Sequence, residues 1–598
     1  MFGNKSLPAR IYSYGAKPPT ENLKEVERLM YQAHRYQNAR IHLERKRREK
    51  VNRALRVFSP ELADLEMKAE ALDEQLDQVR TDINSARAIA RKKISPEDMV
   101  RKCEEIKAEL KKINPRRKEL RIPIWGSPGW HKEQKKAAAE SRPPDSSLTP
   151  PHPDWTKVQA KIDKWDNQKG KQFRAVSGLN HVFGTYNMVE GAVKRTGRPP
   201  KFKKWLGHGH LVIQLQKCRG KYLSTSGVFS GTDTRLRIDP LPPEAFRIDP
   251  DDGKIRPVRK LCRTKVHFRI GVEGKRKPLF AVLPIILHRP LPEEATIRFA
   301  HIIRRRIGTN CEWKFQVTLS QKGGWEKLDA APDGTVGLDV GWRIMKPGSP
   351  LRVIYWAGDD GRSGELVLPA DWIQEMRRTE GIQSIRDKNF DAVRERLSVD
   401  LSKLQIPDWL RDQTKNLWHW KSQARLAVVI VKWRTARFSG DEKVFAYAEE
   451  WRKRYCHLYN FEANLRNQLQ NRREDIYRNF AAWLRRNYRY YVIEDMDLRD
   501  FHVLPKPEEK PEDPATRQHT RDACLSLLKR CIKESMAEKP IEAPPENTTK
   551  KHHSCGSIEE WDHKELMHTC SKCGEHYDQD YNAALNLLDF ARGQMVTS

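Results

Sequence analysis

The run CSKCGEHYDQDYNAALNLL, Cys570 to Leu588, decides the reading of this 598-residue chain, because it joins a cysteine knuckle directly to a helix headed by an acid. Cys570 and Cys573 stand three residues apart with Gly574 behind them. His552 and Cys555 repeat that spacing upstream with Gly556 behind them, and fourteen residues separate Cys555 from Cys570. Two such knuckles offer the four ligands of a tetrahedral Zn²⁺, and a closed Cys₃His set marks a structural site. His553 is an alternative to His552, with His568 and His576 as fallback ligands.

Asp580 opens the helical pattern DQDYNAALNLL immediately after the second knuckle. Two further acids occupy comparable places: Glu494 closes the apolar strand YYVIE, and Asp339 ends the strand-like TVGLD before Gly341. Taken singly, each reads as a cap or an exposed strand end. Taken together on a basic chain, Asp339, Glu494 and Asp580 match a two-metal Mg²⁺ site, in which one cation activates water and the other stabilises the leaving oxygen of a phosphodiester. Carboxylates on buried strands are otherwise costly, so they ask for a metal or a basic partner. Asp495 and Asp578 are adjacent acids that stand either as substitute ligands or as supporting groups.

Composition points to the partner. Lys and Arg number 112 against 80 Asp and Glu, a formal charge of +32. An excess of that size suits a polyanion, since basic side chains on phosphates release condensed counterions. Only 38% of residues are hydrophobic, yet 17 Trp, 16 Tyr and 18 Phe supply large buriable groups, so the chain is expected to fold. No stretch approaches the roughly 20 apolar residues of a spanning helix, and the N-terminus lacks the apolar core of a signal peptide. The expectation is a cytoplasmic protein with no membrane partner. Ten cysteines are too few for a disulfide scaffold of this length.

Upstream, Leu62, Leu65, Ala69, Leu72, Leu76, Val79, Ile83 and Ala86 keep a 3-4-3-4 spacing, and Met99, Cys103, Ile106, Leu110 and Ile113 resume it after Ser95 and Pro96. This predicts an antiparallel helical pair whose second member ends at Pro115. Residues 121–156 are rich in Pro, Ser and Gly and predict a linker. The basic stretch TGRPPKFKKW, Thr196 to Trp205, follows as a loop. From about 207 to 322 the period falls to two, predicting a mainly antiparallel β-domain. Strands from Thr335 and at Leu351–Trp356 precede helical patterns over 398–487; residues 503–516 read as a Pro/Glu-rich loop, and 518–535 as one helix.

The order GLDVG, an apolar strand ending in Glu, then CxxCG-x₃-DxDxNAA resembles the split RuvC nuclease domain with its inserted zinc ribbon. That domain is found in transposon-associated TnpB proteins and in type V CRISPR effectors. The HxxC knuckle, the GWR after Asp339 and the YDQD before Tyr581 are most similar to the miniature type V-M effectors. The resemblance implies a bilobed, multidomain α+β chain with a helical recognition lobe, an antiparallel β-barrel wedge domain, an RNase H-like RuvC α/β domain and a zinc ribbon. Its boundaries would be 1–20 for a first wedge strand, 21–206 for the helical lobe with its coiled-coil hairpin, and 207–330 for the wedge domain. RuvC would follow over 331–545, the ribbon over 546–578 and the C-terminal RuvC helix over 579–598.

The resemblance also implies a prokaryotic antiviral effector, a monomeric ribonucleoprotein in which a CRISPR guide RNA directs binding to double-stranded target DNA. Asp339, Glu494 and Asp580 would be its RuvC carboxylates on Mg²⁺, and His552, Cys555, Cys570 and Cys573 its Zn²⁺ ligands. Some type V-M relatives have lost RuvC acids and silence without cutting; here all three are present. Gln579 stands where many TnpB-like proteins carry Arg, and His552 replaces a Cys. The readings left open are an RNA-guided nuclease, a binding-only silencer that blocks transcription or replication, a TnpB guided by RNA from its own element, and a plain RNA-binding or structural zinc protein with no guide, against which the three spaced acids argue.

Overall fold

A computed structural model describes residues 9–83, 96–140, 142–177, 189, 191–193, 200–215, 235–250, 255–274, 277–292, 295–321, 333–344, 346, 348–495, 514–536, 538, 540–544, 548–560 and 565–597. The chain forms two compact units, Met1–Arg306 with Cys311–Glu326, and Ile307–Asn310 with Lys327–Ser598.

In the first unit, strand β1 (Ala9–Ala16) precedes helices α1 (Leu23–Phe58), α2 (Pro60–Ile83), α3 (Pro96–Trp125), α4 (Trp130–Ala139) and α5 (Pro153–Ser177). The apolar stripes read from the sequence face each other: Leu62, Ala69, Leu72 and Leu76 on α2 are buried, as are Met99, Cys103 and Ile106 on α3. The helix does not end at Pro115 but runs on through Pro115 and Pro123 to Trp125. Proline removes one backbone hydrogen bond, and side chains beyond it hold the helical course. Arg116 grips Glu61 at 2.8 and 3.0 Å, Arg117 binds Glu66 at 2.6 Å, and Ile124 packs with Leu55, Leu62 and Trp155. The expected linker over 121–156 is therefore partly helical, and its Trp155 is a core residue at 1% exposure. Helices α1 and α5 are joined by the buried Arg40–Asp166 pair, two bonds of 2.6 and 3.0 Å.

The period-two region forms β2 (Gly209–Gln214), β3 (Leu236–Ile238), β6 (Arg263–Glu273), β7 (Lys277–Ile286), β8 (Ala295–Ile307) and β9 (Asn310–Gln321), with a separate pair β4 (Phe246–Ile248) and β5 (Ile255–Pro257). The sheet order is β2-β8-β9-β1-β7-β6-β3, so β1 inserts between β7 and β9. Of the β-barrel expected, a half-barrel is present: β2 and β3 are its edges, and no pairing joins them among the described residues. Alternate side chains such as Val266, Phe268 and Ile270, or Phe315, Val317 and Leu319, fill one core.

The second unit is built on a five-stranded sheet of order β12-β11-β10-β13-β14: β10 (Thr335–Ile344), β11 (Leu351–Gly358), β12 (Ser363–Leu368), β13 (Tyr490–Glu494) and β14 (Ile541–Ala543). The pairs β10/β11 and β11/β12 are antiparallel, whereas β10/β13 and β13/β14 are parallel. Buried parallel strands read as continuous apolar runs, which is why YYVIE lacks alternation. Helices begin at Ala370, earlier than the sequence pattern suggested: α6 (Ala370–Ser402), α7 (Asp408–Thr414), α8 (Gln423–Thr435) and α9 (Glu442–Asn487). The single helix expected over 518–535 is two, α10 (Pro514–Ala523) and α11 (Leu525–Ser535). The chain breaks at Cys524, φ +45°, where the Tyr477 hydroxyl takes the Ala523 carbonyl and Arg473 takes that of Asp522 at 2.6 Å. The hairpin β15 (Met567–Thr569) and β16 (His576–Asp578) leads into α12 (Gln579–Thr597), which packs on β10, β11 and β13. No helix of the described residues is long and apolar enough to cross a membrane. The expected loop at 503–516 lies largely outside the described residues, as do Thr196–Pro199 of the basic stretch.

Candidate metal centres

Strands β10 and β13 run parallel with Leu338 opposite Ile493, so Asp339 and Glu494 follow one residue later on neighbouring strands. Successive side chains alternate across a strand, and Asp339 therefore shares a face with Gly337. Helix α12 lies on that face, touching Gly337 with the backbone of Ala584, and brings Asp580 at its first turn towards Asp339. Asp580 on α12 and Glu494 on β13 thus lie near enough to Asp339 on β10 for their charges to act on it. Burial raises the Asp339 pKa well above the usual carboxylate value, and the negative charges of Asp580, Glu494 and Asp578 add to it, with Arg343 opposing. Burial also raises Glu494, against the pull of the Thr548 hydroxyl, which donates to its Oε1, and of Lys529. Burial thus disfavours the charged form of both carboxyls, and at Asp339 the neighbouring carboxylates add to it.

The cluster also holds cations of its own. Arg343 on β10 pairs directly across from Arg352 on β11. Like charges opposite one another in a sheet repel, and here carboxylates relieve them. Arg352 Nη1 donates to Asp580 Oδ2 at 2.9 Å and to Asp578 Oδ2 at 3.0 Å, its Nε donates to Glu365 at 2.6 Å, and Arg343 reaches Asp580 Oδ1 at 3.4 Å. Asp578 is the N-cap of α12: its Oδ1 accepts from the backbone N–H of Asp580 at 2.8 Å and of Tyr581 at 3.2 Å. Asp578 is thereby engaged as a cap and an arginine partner, and Asp495 is an exposed residue whose N–H extends the pairing with Ala543 at 2.8 Å. The donor set of Asp339 and Glu494 fits a hard dication; at Asp580 the same position is contested by two guanidiniums. The arginines escaped the sequence reading, although Arg343 sits in the GWR that follows Asp339.

The four residues of the knuckles come together, with one ligand atom from each of His552, Cys555, Cys570 and Cys573 within 4.8 Å of the others. Each knuckle is a tight turn closed by a glycine N–H, Gly556 to the His552 carbonyl at 2.8 Å and Gly574 to that of Cys570 at 2.9 Å. Both glycines have positive φ, 71° and 74°, which other residues adopt only with strain. Backbone and imidazole hydrogen bonds, from Ser557 first and then His552, draw the Cys555 thiol down to about 7, while burial pushes Cys570 up to about 11. A dication reconciles such neighbours by holding them all as thiolates, and three thiolates with one imidazole fit tetrahedral Zn²⁺. The other histidines are engaged elsewhere: His553 with Asp589 at 2.9 Å, His568 with Gln579 at 3.3 Å and His576 with Thr569 at 3.0 Å. Asn582 and Asn586, in the NAALN of the opening motif, tie the first knuckle to α12. Asn582 accepts from His553 N–H at 2.7 Å and donates to Lys551 O at 2.8 Å, and Asn586 donates to Thr548 O at 2.9 Å.

Comparison with known proteins bears on this arrangement. A family model described as Cas12f1-like, TNB domain, matches residues 529–587, the stretch that contains the knuckles, Asp580 and both asparagines. A protein of Thermanaerosceptrum fracticalcis named CRISPR-associated DNA-binding protein Cas12m is 37% identical over 422 residues, 69% of this chain and 69% of that protein. Its namesake in Allomeiothermus silvanus is 30% identical over 606 residues, 98% of each chain. Among solved structures, the cryo-EM structure of the Cas12f1-sgRNA-target DNA complex aligns with 98% of this chain and 99% of that one at 11% identity and a TM-score of 0.35. With 30–37% identity to these relatives over most of its length, the chain belongs to the Cas12m family, the type V-M group of CRISPR effectors.

Proposed function

We propose that this chain is an RNA-guided effector that binds double-stranded DNA in defence against foreign DNA, working as a monomeric ribonucleoprotein in the prokaryotic cytoplasm. The observation that carries the reading is Asp339 within reach of the charges of Glu494 and Asp580, together with a Cys₃His cluster, in a chain whose 98%-covering relative is named a DNA-binding protein. The charge of +32 supports a nucleic-acid partner. On this reading the half-barrel with β1 is the wedge domain, the helices before it the recognition lobe, the five-stranded sheet an RNase H-like RuvC domain, and the knuckles a zinc ribbon.

Asp339, Glu494 and Asp580 would hold Mg²⁺, which when bound supplies an activated water and charge neutralisation for phosphodiester hydrolysis. Thr548 orients Glu494, Asp578 fixes the head of α12, and Arg352 and Arg343 pair with Asp580. His552, Cys555, Cys570 and Cys573 would hold a structural Zn²⁺. A second reading, a silencer that blocks transcription or replication without double-strand cleavage, is favoured by one observation. The two guanidiniums on Asp580 already neutralise the acid that a second cation would need.

The test is binding and cleavage of guide-matched and mismatched duplex DNA by the guide-loaded protein in Mg²⁺, beside its Asp339→Ala variant. Tight binding of matched DNA alone supports the effector reading, and equal affinity for mismatched DNA overturns it. Cutting that disappears in Asp339→Ala establishes a nuclease; tight binding by both without cutting establishes the silencer.

A further inference from the structure

A cavity in the first unit carries chemistry that neither metal centre uses. It lies between α1, the strands β2 and β8, and the extended segment 203–206, with a volume of about 540 Å³. That is within the roughly 300–1,000 Å³ of small-ligand sites. Met30, Ala33, Leu206 and Ile303 supply apolar lining, with the indole of Trp205 among them. Lys203, Lys204, Arg304 and Arg305 also line it, and among the described residues no acidic one does. Arg304 is balanced by Glu27 at 3.0 Å, which leaves the lysines and Arg305 as the excess positive charge.

The walls are held in place. Asn38 donates to the Lys203 carbonyl at 2.9 Å and accepts from its N–H at 3.0 Å, pinning the segment to α1. Trp205 is wedged against Tyr31 and His34, both at 5.4 Å between ring centres. The backbone N–H of Arg306 donates to His208 Nδ1 at 3.1 Å, so the Nε2–H of that ring is left as a donor. Gln37 adds an amide to the lining. An apolar wall with an indole, several hydrogen-bonding groups and a cationic rim without acids suits a ligand that is flat, polar-edged and anionic. We propose that this cavity takes one nucleotide extruded from a nucleic-acid strand, its base against Trp205 and its phosphate on Lys203, Lys204 and Arg305.

The nucleotide chemistry stands on the cavity alone; that the strand is guide RNA or target DNA rests on the RNA-guided reading. The first experiment therefore uses the full-length protein without guide and adenosine monophosphate as probe, followed by saturation-transfer NMR. Transfer to the base protons is expected, lost in Trp205→Ala, retained in Trp205→Phe, and with affinity at least fivefold weaker in Lys203→Ala/Lys204→Ala. Absence of transfer, or transfer unchanged in Trp205→Ala, overturns the proposal, as does a Trp205→Phe variant that behaves like the alanine. The second experiment loads the protein with guide RNA carrying 4-thiouridine, or with plain guide and target DNA carrying 4-thiothymidine, and maps photo-crosslinks. A crosslink within residues 203–210 from the RNA arm names guide as the source, and one from the DNA arm names target. Neither crosslink, in a complex that binds matched DNA, overturns the strand-derived nucleotide. Should no complex bind matched DNA, the effector reading fails while the NMR result still decides the cavity.

Discussion

Gly337 on β10 lies flush against the backbone of Ala584 on α12. A methyl group at Gly337 would overlap the Ala584 carbonyl oxygen and stand 3.0 Å from Leu588 N, neither of which can move without the helix. Because Gly337 and Asp339 share a face, the close approach that requires glycine is also what brings Asp580 to Asp339. Gly337→Ala is expected to cost about 1–3 kcal/mol, the usual range for overpacking, and to weaken divalent-cation binding. Thermal unfolding together with Mn²⁺ calorimetry checks this; an unchanged melting temperature and affinity would show that α12 tolerates the displacement.

Arg352 bridges Asp580 and Asp578. If its guanidinium competes with a cation for Asp580, Arg352→Met should tighten Mn²⁺ binding by about tenfold, equivalent to roughly 1.4 kcal/mol. Weaker or equal binding in the variant would make Arg352 a support of the site and not a competitor. Cleavage assays on the same variant then separate the nuclease from the silencer, since a charge that blocks hydrolysis is removed.

The cysteine cluster predicts zinc bound in one-to-one ratio, measured by elemental analysis of the purified chain. Cys570→Ser should lose the metal and lower the melting temperature, because the knuckle that Asn582 and Asn586 clamp to α12 loosens with it. His553→Ala should keep the metal, as that side chain pairs with Asp589. Metal loss in His553→Ala with retention in His552→Ala would reverse the ligand assignment.

His210 and His301 stack across β2 and β8 with Nε2 and Nδ1 2.9 Å apart. Burial lowers both, and with the charge of His210 it takes His301 to about 4 from its usual 6.5. A histidine depressed in the fold takes up its proton more readily when unfolded, so stability rises with pH and is lost as pH falls from about 6.5 towards 4. At pH 5 the loss from His301 should approach about 2 kcal/mol. Denaturant unfolding at pH 7 and pH 5 measures it. His301→Gln should flatten that dependence; an equally steep loss in the variant would assign it to other groups.

Much of the site was legible because its signals are local. A knuckle is four ligands at short spacing with a glycine that must take positive φ, and an apolar strand ending in an acid announces a buried carboxylate. The heptad stripes on α2 and α3 belong to the same class, since a 3.6-residue period dictates which side chains can share a face. The failures occurred where distant contacts override local preference. Pro115 should end a helix, yet Glu61 and Glu66 from another helix hold the chain in register beyond it. Residues 518–535 read as one helix, and Tyr477 and Arg473 capture the carbonyls that break it at Cys524.

Residue types and spacings were therefore enough to single out the candidate acids, the His/Cys cluster and the β-region, because covalent geometry and side-chain period act within a few residues. Only the tertiary structure decided what Asp580 touches. Arg343 and Arg352 meet it because β10 and β11 pair in one particular register, Asp578 turns inward as a helix cap, and His552, 4.3 Å from Tyr577 between ring centres, gathers with the cysteines while His553 pairs with Asp589. Electrostatic interactions depend on separation in space, and separation along a chain does not report it.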